Sequence, residues 1–383
     1  MKMRTALLEL DLEDDGPETS SGDLRAQLMR TALHPLFVSS AEGRRFCAFA
    51  LGELSPTLVP DMHAVIRNEL PLVKKKSSLD DYGDIYYRAW RAASGQTLMQ
   101  VELCIESLAS LAIYVARPAL ARAVRRVLNA FHNEKMNSGG GAASASETAT
   151  VIGAGSSSVG QDVDSMLARL YKGVLWRSLR AHNPSVRHNA AALFFDAFPL
   201  IDPEARATER DAALQAQFDQ LEALLADSDA GVRCVAVHGV CRVLGTFWEM
   251  IPFATTQTLL LRLMKDLSHD ASSYRVRCSV FDGLTYLLDN HLTHTTLKPL
   301  LPKIGDLVHD THPAVRQSFV GLLSSASSIR TIRFFDVVPM AGLLHRLAED
   351  GAGRSPAHRE LRLALTRLLL PSFFRNGTGT PLE

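Results

Sequence analysis

The side chains of this 383-residue sequence that could carry metal or thiol chemistry are histidines and cysteines. His291 and His294 are three residues apart in the segment DNHLTH, which could place two ligands on one helical turn. No third ligand follows at a usable spacing, so we expect capping or solvent-facing roles and no metal site. The five cysteines are odd in number and lack a C-x-x-C pair, which favours buried thiols in a reducing compartment.

Catalytic motifs are absent from the sequence. It has no H-E-x-x-H, no G-x-S-x-G, no Walker loop and no protein-kinase motif set. The fragment GAGSSS (153–158) resembles a dinucleotide-binding loop, but it lacks the third glycine and follows no predicted strand. We therefore expect no enzymatic activity, no cofactor and no small-molecule substrate.

Basic side chains give the strongest local signal in a chain whose formal net charge is zero. Between Ser165 and Phe195 there are five Lys or Arg residues and no Asp or Glu. Four of the five fall within about 140° of one another on a helix, which makes contact with phosphates a hypothesis beside the alternative of an ordinary solvated face. With two further clusters, the candidates for contact with duplex DNA are Arg169, Lys172, Arg177, Arg180, Arg122, Arg125, Arg126, Lys74, Lys75 and Lys76. Such a surface would position a duplex without reading its sequence.

Four segments repeat a turn followed by an amphipathic helix, beginning with residues 162–198. Apolar residues recur at offsets 0, 4, 7, 8 and 11 from a valine that follows each turn. The next residue is always arginine, and these arginines are 46, 44 and 39 residues apart. This period is typical of HEAT or armadillo units, so we predict an all-α HEAT-repeat α-solenoid of helix-turn-helix units of about 40–46 residues. A fifth, less regular unit is expected near Leu361.

The turns of these units share arginines and aspartates that we interpret as a structural ladder. Its members are Arg187, Arg233, Arg277, Arg316, Asp227, Asp270 and Asp310. An aspartate six or seven residues before the arginine can accept hydrogen bonds from unpaired N–H groups at the helix start. In a stacked array the carboxylate of a turn can also meet the arginine of the next unit. Ligand binding by the arginines is the alternative.

Composition predicts five segments. They are a disordered acidic leader (1–23), a degenerate HEAT-like helical region (24–136), a low-complexity Gly/Ala/Ser linker (137–161), HEAT repeats (162–371) and a disordered tail (372–383). The apolar stretch 98–116 contains Glu102 and Glu106, which favours a buried helix over a membrane span. The N-terminus is a poor signal peptide, so we expect a soluble intracellular protein without membrane contact.

Several blocks carry a more specific signal than the repeat pattern. They are VSSAEGRRF (38–46), DIYYRAWRAASG (84–95), the basic segment 166–203, WEMIP (248–252), and VRCSVFDGL with LLDNHL (276–292). In these blocks, and in their order over roughly residues 36–371, the chain resembles the HEAT-repeat G subunits of condensin in their condensin II form. Members of this family are much longer, so the resemblance implies a truncated chain.

The resemblance implies a non-catalytic subunit of a ring-shaped complex that compacts mitotic chromosomes, in which the SMC pair carries the ATPase. It implies binding to kleisin, to the other condensin II subunits and to duplex DNA or chromatin, in the nucleus and on chromosomes. Methylated histone tails are a further implied ligand, for which Tyr171 and Trp176 are candidate cage residues; core packing is the alternative for Tyr171. The alternative function is a HEAT or armadillo protein–protein scaffold, of the nuclear-transport or phosphatase type, without DNA binding.

Overall fold

The regular structure of the described residues is exclusively helical. The computed structural model describes residues 27, 29–138, 158–351 and 356–373. The chain divides into two compact units, Met1–Leu214 and Gln215–Glu383. The predicted leader (1–23), the interior of the predicted linker (139–157) and most of the predicted tail (374–383) lie outside the described residues. The all-α HEAT-type fold expected from the repeat pattern is confirmed.

The first unit is built from successive helices that form two layers. They are α1 (Pro35–Val38), α2 (Ala41–Phe49), α3 (Leu58–Glu69), α4 (Lys76–Ala92), α5 (Gly95–Tyr114), α6 (Pro118–Ser138), α7 (Ser158–Ser178) and α8 (Pro184–Ala197). Helix α2 continues through a π-helical turn, Ala50–Leu54. Helices α2, α4, α6 and α8 pack in succession as one layer, and α3, α5 and α7 form the other. Helix α6 begins at Pro118, because proline is tolerated in the first turn of a helix and not in its interior.

Helix α5 is the one helix among the described residues that is long and apolar enough to cross a membrane by length and composition alone. It packs against α3, α6, α7 and α8. Val101, Ile105 and Leu108 on it are fully buried. Its Glu102 is 9% exposed and accepts hydrogen bonds from Arg169. Helix α5 is therefore a core helix of the first unit, in agreement with the expectation from its two glutamates.

The second unit repeats a helix–turn–helix arrangement. The boundary between the units falls within α9 (Ala207–Leu225), which is followed by α10 (Ala230–Thr246), α11 (Phe253–Leu261), α12 (Tyr274–Leu288), α13 (His294–Leu297), the 3₁₀ helix Leu301–His309, α14 (Pro313–Ser327), α15 (Phe334–Val337), α16 (Met340–Gly351) and α17 (Pro356–Phe373). Helices α10, α12, α14 and α17 pack in succession. The repeat valines Val232, Val276 and Val315 are fully buried, as their spacing predicts, whereas Val186 in the first unit is half-buried.

Local capping explains where the second helix of each pair begins. Asp229, rather than Asp227, is the N-cap of α10 and accepts from Val232 N at 3.0 Å. Asp227 accepts from the N–H of Asp229 itself at 2.8 Å, so it orders the turn one step earlier. Asn183 caps α8, whose first residue is Pro184, where a missing N–H costs nothing. The turn residues therefore fix the helix starts by hydrogen bonds to N–H groups that the helix leaves unpaired.

Ladder arginines close the turns that precede their own helices. Arg233 donates from Nη1 to the carbonyl oxygens of Asp227 at 2.7 Å and Ser228 at 3.0 Å. Equivalent bonds to carbonyl oxygens five to seven residues earlier are made by Arg187, Arg277 and Arg316. Each of these arginines lies four residues after its N-cap, so the long side chain reaches back across the first helical turn.

Within the second unit, the same guanidinium groups connect consecutive helix-turn-helix repeats. Arg233 pairs with Asp270 at 3.0 and 2.9 Å, and Arg277 holds Asp310 bidentately at 2.8 and 3.0 Å. Each aspartate therefore pairs with the arginine of the preceding repeat. The expectation from the sequence was a pair with the arginine of the next repeat. Burial alone would raise the pKa of Asp270, but hydrogen bonding from Ser272 and the charge of Arg233 lower it below its usual value. The carboxylate is thus ionised and paired in a largely dry turn.

Two ladder contacts were not found from the sequence. Arg316 reaches Asp350 at 3.4 Å, and this fully buried carboxylate is also held by Arg346 at 2.7 Å. In the first unit, Arg44 pairs with Asp81 at 2.9 Å and with Asp84 at 3.0 Å. The guanidinium of Arg44 also bonds two turn carbonyls five and six residues earlier. The available signal was an arginine four residues after the serine cap in VSSAEGRRF, a spacing shared with the later units.

We expect Arg277→Leu to lower the free energy of unfolding by about 3–5 kcal/mol, because it leaves the buried carboxylate of Asp310 without its cation. Arg262→Leu is the matched control. Arg262 pairs with Asp266 only within its own helical segment, where the two side chains are 35% and 52% exposed, so its loss should cost below about 1 kcal/mol. Urea unfolding followed by circular dichroism measures both. Equal losses would contradict a stabilising ladder.

Close packing of α10 on α12 depends on a glycine. A Cβ atom at Gly283 would lie 2.5 Å from Cys241 Sγ and 3.1 Å from Cys241 Cβ. Cys241 itself is 1% exposed, and burial raises the pKa of its thiol to about 12. The sulfur therefore acts as a small apolar group at the helix crossing.

Gly283→Ala should destabilise the chain by about 1–3 kcal/mol through overpacking. Gly321→Ala in α14 provides the control, since nothing lies within 4 Å of its added Cβ. That substitution should instead stabilise by about 0.5–1 kcal/mol, because alanine loses less backbone entropy in a helix. Thermal unfolding of the two variants distinguishes the signs; stabilisation by Gly283→Ala would show that the crossing is not tightly packed.

Candidate nucleic-acid and partner-binding surface

Helix α7 separates its basic and apolar residues onto opposite faces. Leu167, Tyr171 and Leu175 are fully buried against neighbouring helices, while the four basic residues of the helix and its following turn are exposed. We call these four the α7 basic face: Arg169, Lys172, Arg177 and Arg180. The helical periodicity predicted from the sequence is confirmed here.

Arg169 is neutralised by a residue from another helix. Its Nη1 and Nη2 donate to Glu102 Oε2 at 2.9 Å and to Glu102 Oε1 at 2.7 Å. These hydrogen bonds raise the pKa of Arg169 above its usual value. A bidentate pair of this kind adds geometric specificity, and it joins Arg169 to α5.

The remaining basic side chains of the face keep their charge exposed. Lys172, Arg177 and Arg180 have no carboxylate partner among the residues that the structure describes. Arg177 lies beside Tyr114 of α5, whose hydroxyl is 2.8 Å from Ser178 Oγ. Lys172 and Arg177 lie in the last two turns of α7, and Arg180 lies in the turn that follows the helix. Three exposed cations therefore remain available at the C-terminal end of α7.

The other two predicted clusters lie together, where α6 packs on the start of α4. Arg126 donates from Nε to the carbonyl oxygen of Lys76 at 3.1 Å and pairs with Asp80 at 2.6 Å. Arg125 pairs with Asp196 at 2.8 Å, across α6 and α8. These arginines thus connect neighbouring helices. The exposed members of the clusters are Lys74, Lys75, Lys76 and Arg122.

An apolar stripe on α5 borders the α7 basic face. Met99, Leu103 and Tyr114 are 64%, 54% and 48% exposed. Their spacing places them within about 60° of one another on the helix. The pair Arg169–Glu102 and the contact of Tyr114 with Ser178 join the two helices along this edge. We call the stripe and the basic face together the α5–α7 surface. Sequence reasoning found its basic half but missed the stripe, because α5 is apolar on both sides.

The candidate aromatic residues do not form a cage. Tyr171 is fully buried, its hydroxyl lies 3.0 Å from His132 Nε2, and burial raises its pKa well above the usual range. Trp176 is half-buried and packs on Phe194 with a ring-centroid distance of 5.8 Å. Core packing, the alternative given for Tyr171, therefore describes both side chains.

The candidate histidines and thiols have structural environments. His294 Nε2 lies 2.8 Å from the carbonyl oxygen of Leu288, and His291 is exposed at the start of a short 3₁₀ helix. Cys47 and Cys104 are buried, which raises the pKa of their thiols to about 12 and about 11. Their burial agrees with the expectation of structural thiols.

Comparison with known proteins identifies relatives over nearly the whole chain. The family model described as "Condensin II non structural maintenance of chromosomes subunit" matches residues 30–140 and 149–202. Condensin-2 complex subunit G2 of Xenopus laevis is 34% identical over 97% of this chain and 29% of its own length. The Homo sapiens protein of that name is 35% identical over 95% of this chain and 29% of its length, and the Danio rerio protein 38% over 88% and 27%.

Solved structures with a similar arrangement include helical-repeat proteins. Yeast importin-β (Kap95p) covers 95% of this chain and 52% of its own, with a TM-score of 0.44 and 10% identity. A designed armadillo repeat protein covers 69% of this chain and 99% of its own, with a TM-score of 0.33 and 14% identity.

The alignments to the curated relatives extend over nearly the whole chain, from 88% of it to 97%. The chain spans about 29% of the length of the first of these relatives. Together with the match to the family model in the first unit, this similarity shows that the chain belongs to the family of condensin-2 complex G2 subunits.

Proposed function

We propose that this chain is a non-catalytic, regulatory HEAT-repeat part of the condensin II complex, acting in the nucleus on mitotic chromosomes. The observation that carries the proposal is 34% identity to a condensin-2 subunit over 97% of the chain. In this role the chain holds other molecules in place, and its surfaces, rather than a reaction centre, perform the function. Its partners are kleisin and, through kleisin, the rest of the complex, together with duplex DNA.

The α7 basic face supports the DNA part of the proposal. Lys172, Arg177 and Arg180 are exposed and carry no carboxylate partner among the described residues. Each would neutralise a backbone phosphate and release a condensed counterion, which makes binding depend steeply on salt. The helix dipole also favours a cation in the last turn of α7, so the presence of Arg177 there has a structural reason as well. Salt dependence separates the two roles.

The variant Lys172→Glu/Arg177→Glu/Arg180→Glu should weaken duplex-DNA binding by about tenfold or more and lower the salt slope by up to about 2.7. Fluorescence anisotropy with a labelled duplex at several salt concentrations measures both quantities. Arg169 is left unchanged so that its pair with Glu102 stays intact.

The matched control makes the same change in charge on the second unit. Lys298→Glu/Lys303→Glu/Arg330→Glu replaces three exposed basic residues and should leave the salt slope close to that of the wild type. Equal losses in the two triple variants would indicate a general charge effect. A flat salt slope in the wild type would contradict DNA binding and favour a scaffold with protein partners alone.

The apolar stripe on α5 supports the kleisin part of the proposal. Met99 and Leu103 expose apolar side chains one turn apart, and Tyr114 lies three turns further along, on a helix whose other side is core. A chain segment that places apolar side chains on this stripe would remove it from water, and the adjacent cations would attract acidic residues on the same segment. The stripe is thus a docking line for an extended or helical kleisin segment.

Met99→Asp/Leu103→Asp should abolish or strongly reduce co-purification of the chain with kleisin and the other condensin II subunits, because two carboxylates would have to be desolvated on binding. Quantitative pull-down from co-expressed subunits measures this. The control Phe253→Asp/Leu261→Asp changes two exposed apolar residues of the second unit, at 66% and 50% exposure, and should leave capture intact. Undiminished capture by the Met99/Leu103 variant would overturn docking on α5, and no capture of the wild type would overturn the proposed function.

A further inference from the structure

Three potential metal ligands from two separate elements converge in the second unit. His309 ends the 3₁₀ helix Leu301–His309, while His345 and Glu349 lie on α16. One ligand atom from each of the three lies within 4.8 Å of the others. All three residues are exposed, so a hydrated ion can reach them directly. Sequence spacing could not reveal this group, because 36 residues separate the two histidines.

The two ligands on α16 are arranged as a helical pair. His345 and Glu349 are four residues apart and therefore share one face of the helix. His345 Nδ1 is 3.6 Å from Glu349 Oε1. Arg346 Nη1 holds the other carboxylate oxygen, Oε2, at 2.7 Å. This ion pair orients the carboxylate with Oε1 on the side of the histidine.

The third ligand is placed over the same face by the packing of the 3₁₀ helix. The ring of His309 lies 5.8 Å from that of His345, at an interplanar angle of 71°. His309 Nε2 is 4.0 Å from the position that a Cβ atom on Gly342 would take, one turn before His345. The 3₁₀ helix is itself close to α15, since any Cβ on Gly305 would collide with the carbonyl oxygen of Val337.

The chemistry of this ligand set selects the ion. Two imidazoles and a carboxylate suit zinc and similar divalent transition metals, and a zinc site with three protein ligands leaves the fourth position to water. Tetrahedral coordination at about 2.0–2.1 Å needs ligand atoms about 3.3 Å apart. The pair on α16 is already near that separation, and rotation of exposed imidazoles can bring in the third ligand. We propose that His309, His345 and Glu349 bind a zinc ion, or a chemically similar divalent transition-metal ion, that joins the 3₁₀ helix to α16.

The test uses the full chain after treatment with a chelator. Titration with Co²⁺ should produce the visible absorption of tetrahedral cobalt, and Zn²⁺ should displace it with a stoichiometry of one per chain. The single variants His309→Ala and His345→Ala should each weaken Zn²⁺ binding by about tenfold or more, with Glu349→Gln also weakened. Zn²⁺ should raise the thermal unfolding temperature of the wild type and not that of His309→Ala, because the ion binds only the folded arrangement.

The control variant His182→Ala/His291→Ala removes two other exposed histidines and should bind Zn²⁺ with the affinity of the wild type. Circular dichroism of each variant checks that the fold is retained. Three results would overturn the proposal: no tetrahedral Co²⁺ spectrum in the wild type, unchanged affinity in both histidine variants, or a loss in His345→Ala without a loss in His309→Ala. The last result would show an ion held by α16 alone.

Discussion

The stacking of the second helices depends on the hydrogen bonds and ion pair made by an arginine four residues after each helix cap. Its guanidinium offers donors on two sides, so it can bond the carbonyl oxygens of its own turn and the carboxylate of the next turn together. The partner carboxylates are almost inaccessible to water, as at Asp310 with 7% exposure. A buried carboxylate of this kind is stable only while its arginine partner is present. Each repeat is therefore held in a fixed position relative to the next one.

The same principle explains which basic residues are available for binding. Arg169, Arg125 and Arg126 each form an ion pair with a carboxylate from a neighbouring helix, and these pairs join the helices. Lys172 and Arg180 are not so engaged among the described residues. A neutral chain can therefore still present a local positive surface, because pairing between helices removes some cations and leaves others exposed.

Helix α5 links the core of the first unit to its surface. One side of the helix supplies fully buried residues such as Ile105, and the opposite side exposes Met99 and Leu103. Both sides are apolar, so the helix gives little amphipathic signal, and a core helix and a binding helix are difficult to separate from sequence. The neighbouring helices cover only one side of α5, and this packing determines which of its apolar residues are buried and which are exposed. The α5–α7 surface is a product of packing rather than of one segment.

The sequence by itself determined the helical repeat, the buried face of each second helix and the resemblance to the condensin II family. These follow from local periodicity and from residue types at fixed spacing, which require no knowledge of neighbours. Only the tertiary structure decided that Glu102 neutralises Arg169, that Asp350 receives Arg316, and that His309 meets His345. Each of these contacts joins residues that are between 34 and 67 positions apart in the chain. Their approach depends on how helices pack, because side-chain charge and ligand geometry act over a few ångströms in space and not along the sequence.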